Sequence, residues 1–157
     1  MYGTSADFNC RLSNYLNLAV GLTLQRSRLA KPEPNFGAHV FFKMPNSHGY
    51  AQLNFENSKI FNFNLSLEYT GKMKVPHFAG YIDEDRLETG QTFWVVNAKF
   101  KKPFNFNQKS GVDIFVGIYN LFDSYQRDLD KGLYRDSSYI YGPIRSRSFY
   151  TGFEYYF

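Results

Sequence analysis

The sequence predicts an all-β chain, an antiparallel meander of about six long strands, each with one apolar and one polar face. Three observations lead there. Apolar and polar residues alternate with period two over long stretches, and short and long connectors alternate between those stretches. Aromatic residues make up 20% of the 157 residues, yet mean hydropathy is −0.44. A soluble core rich in Phe and Tyr usually brings many Leu, Val and Ile with it. Aromatics set among polar residues suit strands that are apolar on one side and wet on the other, as in a transmembrane barrel.

The first strand is expected over residues 12–26. Leu12, Leu16, Leu18, Val20, Leu22 and Leu24 fall at even positions, with Asn14 the one polar member. Asn17, Ala19, Gly21, Thr23 and Gln25 fall at odd positions. Successive strand side chains point to opposite faces, whereas a helix would mix the two sets. The apolar stretch has about the 9–11 residues that a tilted strand needs to cross a bilayer. A second strand, over 49–55, offers Ala51, Leu53 and Phe55 against Gln52, Asn54 and Glu56. A third, over 60–71, sets Phe61, Phe63, Leu65, Leu67 and Tyr69 against Asn62, Asn64, Ser66, Glu68 and Thr70. A fourth, over 91–106, carries Trp94, Val96, Ala98 and Phe100, and a fifth, over 112–122, carries Val112, Ile114, Val116 and Ile118. In the last, Phe149, Thr151, Phe153, Tyr155 and Phe157 alternate with Tyr150, Gly152, Glu154 and Tyr156.

The connectors at 57–59 and 108–111 are short and polar, and those at 28–48, 72–90 and 123–142 are long. Short periplasmic turns and long outer loops are the pattern of outer-membrane barrels. Residues 1–11 are expected to be a further periplasmic turn or the end of a missing strand, and residues 12–157 a barrel segment. Six strands do not close, and an open edge would leave unpaired backbone groups in hydrocarbon. The chain therefore reads as part of a larger barrel. Its opening residues, Met1 to Asp7, carry neither a basic start nor an apolar stretch of signal-peptide type, so the expected true start lies upstream.

Other classes find little support. The net charge of +4 is small and the Lys and Arg are scattered, so no nucleic-acid surface is expected. Cys10 is the sole cysteine and cannot form an intrachain disulfide. His39, His48 and His77 lack metal-ligand spacing. There is no phosphate-binding glycine loop, no nucleophile motif and no paired acid and base, so no catalytic residue, cofactor or metal is assigned and the chain is not read as an enzyme.

The segment Gly117-Ile118-Tyr119-Asn120-Leu121-Phe122-Asp123-Ser124-Tyr125 resembles the penultimate-strand signature of TonB-dependent outer-membrane receptors. Tyr141-Gly142-Pro143, followed by Arg145, Arg147, Phe149, Tyr150 and Gly152, resembles that family's last strand, with Ser146 where Pro is common. A terminal Phe157 that closes an aromatic alternation is similar to the family's assembly signal. Pro45, His48 and Gly49, then Tyr69-Thr70-Gly71, fit an earlier family pattern. Met73, Val75-Pro76-His77, Ala79-Gly80 and Tyr139-Ile140-Tyr141-Gly142-Pro143 look most like the Bacteroides-type group.

The resemblance covers residues 12–157. It implies the C-terminal part of a 22-stranded barrel in the bacterial outer membrane. An N-terminal plug, absent from this chain, would fill the barrel and contact TonB. It implies import of a scarce, bulky nutrient of the iron-chelate (siderophore), haem or cobalamin class, whose identity the sequence does not name. The partners implied are outer-membrane lipid, the rest of the barrel and its plug, TonB through that plug, and the barrel-assembly machinery through Phe157.

Asn17, Thr23, Asn62, Asn64, Ser66 and Glu68 are the candidates for the lumen face. They either touch plug or substrate or, as the plainer reading has it, hydrate the wall and bond one another. Asp83-Glu84-Asp85 and the set Asp123, Asp128, Asp130 and Asp136 fall in expected outer loops, where solvated loop tips are the plainer reading against a cation or substrate site. Phe104, Phe106, Tyr155, Tyr156 and Phe157 are expected at the periplasmic interface. Two alternatives stand beside transport. One is a small independent barrel with a structural or lipid-related role, which needs at least two more strands. The other is a soluble lipocalin-like binder with the leucine face turned inward.

Overall fold

The structure is a computed structural model, and it describes every residue except Ser58 and Gln108. Seven strands form one antiparallel sheet in which each strand pairs with its neighbours along the meander. They are β1 (Tyr2–Arg11), β2 (Leu16–Arg26), β3 (Ser47–Asn57), β4 (Phe61–Thr70), β7 (Phe93–Asn105), β8 (Gly111–Tyr119) and β9 (Ser148–Tyr156). Between β4 and β7 the chain makes a small separate hairpin of β5 (Lys74–His77) and β6 (Arg86–Thr89).

The chain is thus all-β, with seven long strands rather than about six. The added one is β1, over residues expected as a turn or a strand end. Its alternation is weak because the apolar set is Thr4, Ala6, Phe8 and Cys10, mostly small residues. They stand opposite Leu24, Leu22, Val20 and Leu18. The turn begins at Leu12 instead of a strand. Arg11 closes it, with guanidinium N–H groups donating to the carbonyl oxygens of Ser13 (3.2 Å) and Asn14 (3.1 Å). The turn from β7 to β8 is organised by Asn107, whose Oδ1 accepts from the amides of Lys109 and Ser110, both at 2.8 Å.

Register carries the two faces across the whole sheet. Leu18 lies opposite Cys10 and Leu53, Leu53 opposite Leu65, and Leu65 opposite Ala98. Ala98 lies opposite Ile118, and Ile118 opposite Phe149. A one-residue slip anywhere would turn a strand's leucines onto the polar side. Two aromatic rows flank this aliphatic band. At the short-turn end the rings of Phe55 and Phe61 lie 4.8 Å apart and those of Phe61 and Phe100 5.2 Å apart. At the loop end the rings of Tyr69 and Trp94 lie 4.4 Å apart, tilted by 37°. Eight residues separate Phe61 from Tyr69, roughly 26 Å along a strand.

Among the described residues no second layer packs on the sheet. The residues that are nearly solvent-free cluster instead at the loop end, where Met73, Val75 and Tyr139 pack together with Tyr141 against them. The apolar face stays open, with Phe149 at 78% and Phe153 at 74% exposure. The outer edges of β1 and β9 have no strand partner among the described residues. Among the described residues no helix is long and apolar enough to cross a membrane.

Candidate functional site

Two regions carry polar chemistry: the polar face of the sheet and the loop end above it. Asn17, Thr23, Asn62, Asn64, Ser66 and Glu68 all lie on the polar face. Asn17 pairs across with Asn54, Asn54 with Asn64 and Asn64 with Lys99, while Ser66 faces Asn97. Their side chains bond along the rungs. Asn64 Nδ2 donates to Asn54 Oδ1, Asn97 Nδ2 donates to Ser66 Oγ at 3.2 Å, and the Thr23 and Ser5 hydroxyls are 2.9 Å apart. Asn62 Oδ1 accepts from the Asn57 amide at 2.9 Å, beside the β3–β4 turn.

Towards the short turns Lys101 Nζ binds both Asp113 (2.6 Å) and Glu154 (3.1 Å), which bridges β7, β8 and β9. Lys99 sits over the Phe115 ring at 4.3 Å. The partners of Lys101 come from strands 12 and 53 residues away, which no local pattern around it reveals.

The aromatics of this face lie flat rather than project. The Tyr50 ring covers Gly21, Tyr150 covers Gly117, and Phe115 covers Gly152, each occupying the space a Cβ would take. Near the loop end a cleft of about 340 Å³ opens on the polar face. Glu68, Asn97, Tyr119 and Arg145 are among its lining residues. Arg145 stacks on Tyr119 at 4.4 Å, and Tyr119 on Tyr150 at 4.6 Å.

The three long connectors, 27–46, 71–92 and 120–147, are tied to one another. Lys43 donates its amide to Lys74 O (2.7 Å) and its ammonium to Ser138 O, while Phe36 packs against Phe78 at 5.8 Å. His77, only 6% exposed, places Nε2 2.9 Å from an oxygen of Asp130 and stacks on Tyr139 with 3.7 Å between ring centroids.

Here the reading of Asp123, Asp128, Asp130 and Asp136 as solvated loop tips is corrected for Asp130; Asp128 is exposed and Asp123 and Asp136 are half-buried, though each accepts hydrogen bonds. Asp130 is itself buried and accepts from the Asp136 amide as well as facing His77. Asp128 accepts from the hydroxyls of Tyr139 and Tyr141, each at 2.8 Å. Asp136 accepts from the amides of Phe78 (2.9 Å) and Ser138 (2.8 Å). Asp123 accepts from the Arg147 amide at 2.8 Å. In the acidic run 83–85, Asp85 Oδ1 accepts from the Ala79 amide at 2.7 Å. The amides of these irregular connectors have no strand ladder to pair with, and the carboxylates supply their acceptors.

Burial raises the Tyr139 hydroxyl well above its ordinary range, and the Asp128 carboxylate raises it further. For Tyr141 the same two causes, burial first, push it up to about 12. Burial would raise the Asp136 carboxyl, but the Phe78 and Ser138 donors outweigh that and hold it below the ordinary value.

No protein family, curated protein or solved structure matches the chain. The motif residues can still be placed. Asn120, 2% exposed and at φ 51°, ends β8 in the left-handed region. Its Nδ2 donates to the carbonyls of Ser124 and Arg145, both at 2.9 Å, and its Oδ1 accepts from Ser124 N at 2.8 Å. The Leu121 amide donates to Val96 O at 2.7 Å, while the Phe122 ring is 70% exposed. Asp123, also at positive φ, ties the turn to the start of β9 through Arg147. Gly142 receives the Phe93 ring, beside Tyr141 and Pro143. Phe157 lies past the end of β9, fully exposed and stacked on Tyr155.

The histidines do not converge. His39 bonds Leu29 O, His48 lies on the polar face opposite Thr23 and Thr70, and His77 is held by Asp130. Among the described residues no group of three His, Cys, Asp or Glu could hold a metal.

Proposed function

We propose that this chain is wall and outer loops of a TonB-dependent transporter in the bacterial outer membrane. The apolar face would lie in lipid and the polar face would line the lumen beside the plug. The loop end would belong to the surface that captures a scarce, bulky nutrient of the iron-chelate, haem or cobalamin class. One observation carries the membrane part: a single apolar face runs in register across all seven strands, bounded by two aromatic rows. Exposed on this scale it far exceeds the apolar patch of a soluble monomer, while in a bilayer it meets hydrocarbon with interfacial aromatics above and below. Two open edges need further strands for closure, which fits a segment of a larger barrel. The transporter assignment rests in addition on the resemblance of Asn120-Leu121-Phe122-Asp123 and Tyr141-Gly142-Pro143 to the family motifs.

Spin labels at positions 18 and 17, adjacent in sequence and on opposite faces, test the membrane part. In the intact barrel the label at 18 is relaxed by lipid-dissolved oxygen and the label at 17 by a water-soluble reagent. A lipocalin-like protein would shield position 18 from both, and equal behaviour at the two sites would overturn the assignment. Deletion of the encoding gene tests transport, with the expected result a loss of uptake of one added iron chelate, haem or cobalamin. Unchanged uptake and growth on all three would end that reading.

A further inference from the structure

The cleft of about 340 Å³ on the polar face has two charged residues in its lining, Glu68 of β4 and Arg145 of the last connector. Both are exposed. Neither forms an ion pair among the described residues, with the other or with a third group. The fold holds them apart. Arg145 rests over the Tyr119 ring at 4.4 Å, and Tyr119 belongs to β8, two strands away from β4 in the sheet. Two strand spacings are about 10 Å. The floor between them departs from the pattern of its face. Val95 lies opposite Glu68, at a position of β7 on the same side as Asn97 and Lys99. At the rim Ile144 is 80% exposed.

We infer that this cleft binds a short zwitterionic peptide, with its ammonium end at Glu68, its carboxylate end at Arg145 and an apolar side chain on Val95 and Ile144. The inference goes beyond the transport reading and stands without it, since the cleft is complete within this chain. The two charges select the occupant. An anion alone would meet Arg145 but be repelled by Glu68, and a cation alone would meet the reverse. A ligand of both signs gains from both. A planar guanidinium takes a carboxylate two oxygens at a time, and its place on Tyr119 leaves that edge free to do so. Length and size agree. An extended dipeptide spans roughly 7 Å, and a charge-assisted bond of about 2.8 Å at each end brings it to the scale of the separation between the two groups. The volume lies near the low end of the roughly 300–1,000 Å³ of small-molecule sites, as suits so short a ligand. An apolar floor beside an open carboxylate is of no use to a hydrated ion, whereas a peptide side chain fills it.

Titration calorimetry on the intact barrel in detergent tests the site, with leucylleucine as the probe beside its N-acetylated, C-amidated and doubly blocked forms. Expected is binding of the free dipeptide, weakened roughly tenfold or more by blocking either end, as for the loss of a hydrogen bond to a charged group. Substitutions should follow the two ends separately. Glu68→Gln removes the penalty for acetylation and keeps that for amidation, and Arg145→Gln does the reverse. No binding of the free dipeptide, as when plug side chains fill the cleft, overturns the site. So does equal binding of all four ligands, or a set of penalties that the substitutions leave unchanged. The four-ligand comparison uses the unaltered protein, so it decides even where a variant fails to fold. The spin labels at 18 and 17 judge the membrane reading by themselves. A barrel that passes that test and binds no dipeptide loses the peptide site alone.

Discussion

Tyr50 on β3 lies flat across Gly21 on β2, and its hydroxyl reaches past it to donate to Asp7 Oδ1 on β1 at 3.0 Å. Three strands are joined by one side chain, and only a residue without a Cβ permits it. Gly21→Ala would force the ring off the wall. A loss of about 1–3 kcal/mol is expected, as for other overpacked sites, measured by denaturant unfolding of the intact barrel. In a Tyr50→Ala background the same substitution should cost much less, because the clash is gone. Equal costs in both backgrounds would mean that the ring does not rest on Gly21.

Facing predicts an asymmetry between neighbours. Leu18→Arg and Leu65→Arg should each lower folding stability in bilayers by roughly 2–4 kcal/mol, whereas Asn17→Arg and Asn64→Arg should cost little where lumen water solvates them. Similar losses within each pair would contradict the two-faced wall.

Asn120 combines a positive φ with a fully bonded side chain, and two substitutions separate those roles. Asn120→Gly keeps the backbone conformation and loses the hydrogen bonds. Asn120→Ala loses both, and should be the worse by about 1 kcal/mol. Hydrogen exchange at Ser124, whose amide depends on Asn120 Oδ1, should rise in either variant; protection as in the parent would refute the role.

The loop end should answer to pH at its extremes. Asp136 has a folded pKa below its unfolded value, so its contribution is complete above the ordinary carboxylate range and is lost as pH falls through the lowered value. The protection factor of the Phe78 amide, which donates to Asp136, should fall only in that acid window. Tyr141 has a raised pKa, so its contribution is complete below the ordinary tyrosine value and is lost as pH rises towards about 12. Ultraviolet titration should show tyrosine ionising late. A Phe78 protection factor that already falls near neutrality would contradict the assignment for Asp136.

Much of the sheet was legible because period-two alternation is a direct image of facing. Leu16 to Leu24 and Phe61 to Tyr69 could be assigned to one side before any pairing was known. β1 was not legible, since Thr4, Ala6 and Cys10 give a faint apolar signal and the strand is defined by β2 beside it. The β5–β6 hairpin was hidden for another reason. It is four residues per strand, and it is held by partners such as Tyr139 and Asp130 that lie some fifty residues on or more. The same distance hid the true state of the loop aspartates. A carboxylate's donors cannot be read from its own neighbourhood when they are the amide of Phe78 or the hydroxyl of Tyr141.

The ties among the three long connectors have a consequence for recognition from outside. Lys43, Lys74, His77, Asp130 and Ser138 bring segments up to 95 residues apart onto one surface. An antibody selected on the folded protein would read an epitope assembled from all three connectors, whereas serum raised against any one of them as a peptide would bind the denatured chain and miss the native one.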